Sequence, residues 1–73
     1  MQVVRVAVAE MNEDKSPEGM SLPDRAAHAL RRARSHPVGQ ARNNLRQVAV
    51  LLLWLHRTGV PADVEMIDAH TMR

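Results

Sequence analysis

The apolar positions of this chain alternate near its start and follow a helical spacing further on. Between Val3 and Val8 the β-branched residues recur with a period of two, which is typical of a half-buried strand. We therefore predict a strand over residues 1–9. The stretch NEDKSPEG that follows is charged, rich in turn formers and aperiodic, so residues 10–21 are predicted to form an acidic loop.

Two helices are predicted downstream of the loop, as an antiparallel hairpin. The first spans residues 22–35 and has a thin apolar stripe made mostly of alanine. It opens at Ser21 or at the Leu22–Pro23 step and ends before Pro37, because the residue preceding a proline avoids helical backbone angles. The second and longer helix spans residues 37–58, with Gly59 as its left-handed stop.

The segment 60–70 admits two interpretations. A short helix is favoured by three residues suited to a first helical turn, Pro61, Asp63 and Glu65. It is also favoured by apolar residues spaced four and three apart, Val60, Val64 and Ile67. The alternative is a strand that pairs with the N-terminal strand. With the helix preferred, the predicted fold class is mainly α with a minor β part, in a single domain over residues 1–73.

The second helix is apolar on two opposite sides, which is unusual for so short a chain. One stripe is an ordinary core face, made of Ala41, Leu45, Val48, Leu52 and Leu55. The other side carries Val50, Leu53 and Trp54, with Arg46 and Arg57 on the same face. Since the first helix can cover only one side, we predict a homodimer formed through the second side. The alternative is that the strand and the tail of the same chain cover it.

Charge is strongly segregated along the chain, although the net formal charge is only +2. No acidic residue occurs between Arg25 and Ala62, whereas acidic residues outnumber basic ones on both sides of that span. Four arginines in the basic span are predicted to bind an acidic partner or nucleic acid, and these are Arg25, Arg31, Arg32 and Arg42. The alternative is that the acidic ends fold back over the arginines.

The sequence offers little chemistry for catalysis, so we expect no enzyme and no cofactor. The chain has no Cys, its histidines lack an HExxH spacing, and no Gly-rich phosphate loop precedes a helix. Glu65, Asp68 and His70 form the closest approach to a metal site, but we predict none there. The apolar run 48–55 is too short to cross a membrane. A cytoplasmic protein without a membrane partner is therefore predicted.

Two functions fit these features. The first is a small, non-enzymatic regulator or inhibitor that is dimeric through its second helix and binds a larger protein with an acidic surface. The second is a dimeric DNA-binding regulator of transcription, or of a plasmid or phage. A strand followed by two helices has the outline of a ribbon-helix-helix repressor, and the stretch RNNLRQVA at 42–49 resembles a segment of plasmid mobilisation accessory proteins. That resemblance covers about seven residues and implies binding to duplex DNA.

Overall fold

A two-stranded parallel sheet and a pair of helices make up the fold. The computed structural model describes residues 2–69. In chain order it contains strand β1 (Val4–Glu10), a short 3-10 turn (Asn12–Asp14), helix α1 (Leu22–Ser35), helix α2 (Gln40–Thr58) and strand β2 (Ala62–Asp68). Both helices come between the two strands, so the first and last elements of the fold are neighbours.

The segment after α2 is a strand, so the predicted fold class with a short C-terminal helix is wrong. β2 pairs in parallel with β1, from Val4 opposite Ala62 to Glu10 opposite Asp68. The backbone N–H of Val4 also donates to the carbonyl oxygen of Pro61 at 2.9 Å. A lone strand would leave its backbone groups without partners, and a short C-terminal helix could not have supplied them. The need of β1 for a partner therefore overrides the helical spacing of the tail.

The ends of α1 follow from the residues found there and lie where the sequence predicts them. Ser21 is the N-cap, and its Oγ accepts a hydrogen bond from the backbone N–H of Asp24 at 3.3 Å. Pro23 lies in the first turn, where its missing N–H costs nothing. The helix ends at Ser35, two residues before Pro37.

α2 begins later than predicted, at Gln40 instead of residue 37. Gly39 is its N-cap and has an extended backbone, with φ of 164° and no side chain to cap the helix. The connection over residues 36–39 is short enough to make the two helices antiparallel neighbours. α2 ends at Thr58, and Gly59 follows it in the predicted left-handed conformation, with φ of 69°. Within residues 2–69, neither helix has the length and hydropathy that a transmembrane segment requires.

The core is built where the alanine stripe of α1 meets one face of α2. Three alanines of α1, Ala26, Ala29 and Ala33, are at most 2% exposed and form one cluster with Leu45, Ala49 and Leu52 of α2. Val64 of β2 packs against this cluster, so the sheet contributes to the core. Small side chains on α1 allow the helices to approach closely. The core face of α2 is thus covered as predicted, with Ala49 in it, whereas Ala41 is exposed.

Candidate interaction surface and carboxylate cavity

The side of α2 away from the core is open in the single chain. Val50 is 62% exposed, Leu53 40% and Trp54 57%. Together with the exposed Arg46 and Arg57 they fall within an arc of about 100° at 100° per residue. We call these five residues the outer α2 face. No element within residues 2–69 covers it, so the chain does not bury its second apolar side itself.

The outer α2 face has an apolar centre and a purely cationic rim. Arg46 lies toward the start of the helix and Arg57 toward its end, and α2 contains no acidic residue. Trp54, one of the three apolar residues of this face, is the sole Phe, Tyr or Trp of the chain. A large amphipathic ring between two guanidinium groups combines the residue types that dominate binding energy at protein interfaces.

A basic cleft adjoins the outer α2 face. It has a volume of about 290 Å³ and lies between α1 and α2, lined by Leu30, Ala33, Arg34, Arg42 and Arg46. Within residues 2–69, no carboxylate lies within the ion-pairing distance of 4.0 Å of these three arginines. Sequence reasoning selected Arg42 and Arg46 but missed Arg34. The spacing of four between Leu30 and Arg34 puts the two side chains on the same face of α1. That this face borders a cleft depends on how α1 packs against α2, which the sequence alone does not show.

The structure does not bring Arg25, Arg31 and Arg32 together on one outward surface. Arg25 is only 8% exposed, and its Nη1 donates to the Oγ of Ser16 at 2.6 Å. The Nε of Arg32 donates to Oδ1 of Asp14 at 2.9 Å. Arg31 alone among the three is exposed to solvent. The acidic loop thus folds back over two of the arginines that were predicted to bind a partner.

Asp14 is the centre of this loop-to-helix network. It is 2% exposed, and both of its carboxylate oxygens lie 3.0 Å from Nε2 of His36, in addition to the bond from Arg32. Burial alone would raise the pKa of Asp14, but the hydrogen bonds and charges of His36 and Arg32 outweigh it and lower the pKa. Asp14 is therefore a carboxylate that is held ionised inside the protein.

Glu10 is a second buried carboxyl at the same end of the molecule. It is 6% exposed, and its Oε2 has no hydrogen-bond partner within residues 2–69. Burial raises the pKa of Glu10 to about 7, and the nearby charge of Asp14 adds to the effect, while Arg25 opposes it. The alternation of Val4, Val6 and Val8 already indicated that position 10 points inward, so sequence reasoning could have found this residue.

Glu10 and Asp14 line a cavity of about 310 Å³ at the carboxyl ends of the two strands, which we call the carboxyl-end cavity. Its remaining wall comes largely from the first half of α2 and includes Gln40, Asn44, Leu45 and Val48. The lining of the cavity thus combines two buried carboxyl groups with two side-chain amides and several apolar side chains.

The side chains weighed as metal ligands do not converge in the described part of the chain. Glu65 and Asp68 are three residues apart on β2 and so point to opposite faces of the sheet. His70 lies outside the described residues. Among residues 2–69, no group of three side chains is arranged to hold a metal ion.

Comparison of the chain with protein-family models, with curated proteins and with solved structures gives no match. The outer α2 face and the basic cleft therefore carry the functional inference.

Proposed function

We propose that this chain is a small, non-enzymatic interaction protein of the cytoplasm. It docks through the outer α2 face on a larger protein whose surface is apolar at its centre and acidic around it. The observation that carries this proposal is the exposure of Val50 and Trp54, both more than half open to solvent, between Arg46 and Arg57. The lack of Cys suits a reducing compartment such as the cytoplasm.

The apolar centre supplies a useful share of binding energy. Full burial of a large apolar side chain stabilises by about 1.5 to 3 kcal/mol. Because Val50, Leu53 and Trp54 are already partly covered, docking gains roughly half of that for each, or about 3 kcal/mol in all. This is comparable with the whole stability of about 3 to 5 kcal/mol expected from a core of this size. A partner on this face would therefore also stabilise the fold.

The rim charges favour a different protein over a second copy of this chain. In an antiparallel pair of α2 helices, Arg46 of one copy would lie beside Arg57 of the other, which places like charges together at both ends of the contact. An acidic rim on a different protein would instead pair with both arginines. The predicted homodimer remains a prediction, and the charges favour an acidic partner over it.

The basic cleft extends the same contact. Arg46 belongs to both the outer α2 face and the cleft, so an acidic side chain of the docked protein can reach Arg34 and Arg42 at the same time. The DNA-binding alternative depends on a ribbon of antiparallel strands from two chains. Here β1 is paired in parallel with β2 of its own chain. Without that ribbon, the basic cleft is the one surface on which duplex DNA is retained as an alternative ligand.

The fluorescence of Trp54 tests this proposal, since it is the chain's single Trp and lies at the contact. The probe is a synthetic helical peptide with Leu at helical spacing and Glu on either side of the Leu stripe. We expect the peptide to shift the emission to the blue, with an affinity that falls as salt rises. Leu53→Asp should abolish the shift and Arg46→Glu should weaken it. Val38→Asp is the matched control, because Val38 is 90% exposed and lies outside this face.

Two other outcomes would replace the proposal. A blue shift that depends on protein concentration alone, and strengthens with salt as the arginine repulsion is screened, would identify the homodimer. A response to random duplex DNA with a steep salt dependence, and none to the peptide, would identify DNA binding. If Leu53→Asp and Val38→Asp behave alike with the peptide, the outer α2 face is not the docking site.

A further inference from the structure

The basic cleft brings together three arginines that have no acidic partner in the described part of the chain. Arg34 comes from α1, and Arg42 and Arg46 come from α2. No described carboxylate lies within 4.0 Å of their guanidinium groups, and none of the three donates a hydrogen bond to a described protein atom. Arg25 and Arg32 of α1 differ, because the acidic loop supplies an oxygen atom to each of them. The cleft is therefore a cluster of cations that the loop does not neutralise.

This concentration of like charge is unfavourable unless an anion balances it. Arg42 and Arg46 are one helical turn apart on α2, a spacing at which like charges repel each other. Arg34 adds a third positive charge from the neighbouring helix, and α2 contains no acidic residue that could offset it. An anion in the cleft would relieve the repulsion among all three arginines and accept their hydrogen bonds.

The shape of the cleft allows a single small ligand to contact both helices. Its volume of about 290 Å³ is close to the lower end of the range for small-molecule sites. Two apolar side chains of α1 complete the lining, Ala33, which is 2% exposed, and Leu30, which is 39% exposed. A ligand that suits this lining has an anionic group with several oxygen atoms and a small apolar part.

We propose that the basic cleft binds a phosphate monoester, with the phosphoryl oxygens accepting hydrogen bonds from Arg34, Arg42 and Arg46 and the organic group against Leu30. A phosphate monoester carries about 1.5 to 2 negative charges at pH 7 and three strong acceptor oxygens. It balances up to two of the three guanidinium charges, whereas a carboxylate or a phosphate diester balances one. The planar guanidinium group also matches the geometry of phosphate and can bind it through two hydrogen bonds.

This inference goes beyond the proposed docking and does not rest on it. The cleft shares only Arg46 with the outer α2 face, and the apolar residues of that face do not line it. Docking is measured by the emission of Trp54, whereas phosphate binding is measured at the side chains of Arg34 and Arg42. Failure of one proposal is therefore distinguishable from failure of the other.

Nuclear magnetic resonance of the full chain, labelled with nitrogen-15 and kept at about pH 7, tests this inference. The probes are n-butyl phosphate, which is the monoester, dimethyl phosphate, which is a diester with one charge, and pentanoate, which is a carboxylate with a similar aliphatic body. The Nε–H signals of the three arginines report binding. We expect saturable shifts of all three signals with n-butyl phosphate, and binding weaker by about tenfold or more with the other two probes.

The two other probes also identify what would replace the inference. Dimethyl phosphate that binds as tightly as n-butyl phosphate would overturn it in favour of a nucleic-acid backbone, whose phosphates are diesters. Pentanoate that binds as tightly would overturn it in favour of the acidic side chain of a docked protein. No saturable shift with n-butyl phosphate would show that the cleft is not a phosphate site.

Two variants and one control separate binding in the cleft from general charge effects. Arg34→Gln removes one exposed guanidinium group and should weaken n-butyl phosphate by about tenfold or more, the loss expected for one charged hydrogen bond. Arg34→Lys keeps the charge without the planar donor group and should bind with intermediate affinity. Arg5→Gln removes an exposed arginine of β1, outside the cleft, and should leave the affinity unchanged. Unchanged binding in Arg34→Gln, or equal weakening in Arg34→Gln and Arg5→Gln, would overturn the inference.

Discussion

The Nε of Arg32 in α1 donates a hydrogen bond of 2.9 Å to Oδ1 of Asp14, across 18 positions of the sequence. This contact ties the acidic loop to the helix pair. Asp14 and Ser16 are both buried, so the loop is part of the packed structure and not a solvated linker.

Asp14→Ala should lower the free energy of unfolding by about 2 kcal/mol. The change removes the partner of Arg32 and His36, and hydrogen bonds to charged groups are worth about 1.5 to 3 kcal/mol each before the partial exposure of Arg32 is discounted. Urea unfolding followed by circular dichroism measures the loss. Glu13→Ala is the matched control, since Glu13 is exposed and next in sequence, and it should change stability by less than about 0.5 kcal/mol. Equal effects of the two variants would show that the loop contributes no stability.

Asp14 should also make the protein sensitive to acid. Its pKa in the folded state is lowered from the ordinary 3.8, so its contribution to stability is present above that value and is lost as the pH falls through the folded pKa. The difference in unfolding free energy between the native chain and Asp14→Asn should therefore shrink as the pH falls below about 5 and through the folded pKa. A difference that stays constant over this range would contradict the assigned ion pair.

Glu10 should have the opposite dependence on pH. Its pKa is raised from 4.5 to about 7, so the folded state holds this proton more tightly than the unfolded chain. The contribution of Glu10 is complete below pH 4.5 and is lost as the pH rises through 7. Glu10→Gln should remove this loss and raise the unfolding free energy at about pH 8 by about 1 to 3 kcal/mol. Urea titrations at about pH 5 and about pH 8 measure it, and Glu13→Gln should show no such change.

Leu52→Ala should prevent cooperative folding of the isolated chain. Leu52 is 0% exposed and is the largest fully buried side chain, and truncation of a core leucine costs about 2 to 5 kcal/mol. A core of this size supplies only about 3 to 5 kcal/mol. Leu51→Ala on the same helix is the control, since Leu51 is 38% exposed and its loss should cost about 1 kcal/mol or less. A Leu52→Ala chain with a normal thermal transition would show that another part of the molecule carries the stability.

Gly59→Ala should cost about 1 kcal/mol without any change of contacts. Gly59 has φ of 69°, a left-handed conformation that strains any residue with a Cβ. Among the described residues, no atom beyond Gly59 and its two neighbours in the chain lies within 4 Å of the position that a Cβ would take. Gly59→Asn should cost less, because Asn tolerates this conformation better. Thermal unfolding of both variants measures the ranking, and equal stability of Gly59→Ala and the native chain would contradict it.

The helices and β1 could be predicted because their signals are local. The stripe of Ala26, Ala29 and Ala33, the cap at Ser21 and the stop at Gly59 each depend on residues within a turn or two. The open side of α2 could be predicted for the same reason, since the positions of Val50 and Trp54 around the helix axis follow from the helical repeat alone.

The tail and the loop could not be predicted, because their structure depends on distant residues. Val64 and Ile67 have helical spacing, yet β2 forms because Val4 and its neighbours need a hydrogen-bonded partner nearly 60 positions away. The burial of Asp14 likewise depends on Arg32 and His36, and the aperiodic loop sequence carries no sign of it. The carboxyl-end cavity could not be predicted for the same reason. Its walls come from the strand ends, the loop and α2, so its shape depends on how all three pack together.

The parallel pairing of β1 with β2 has a mechanical consequence. The chain enters β1 at one end of the ladder and leaves β2 at the other, so tension applied through the two termini pulls the strands past each other along their length. The cross-strand hydrogen bonds lie across that direction and share the load at once, instead of opening one after another as in a peeled hairpin. A chain with a small core should therefore resist stretching far better than its resistance to urea suggests.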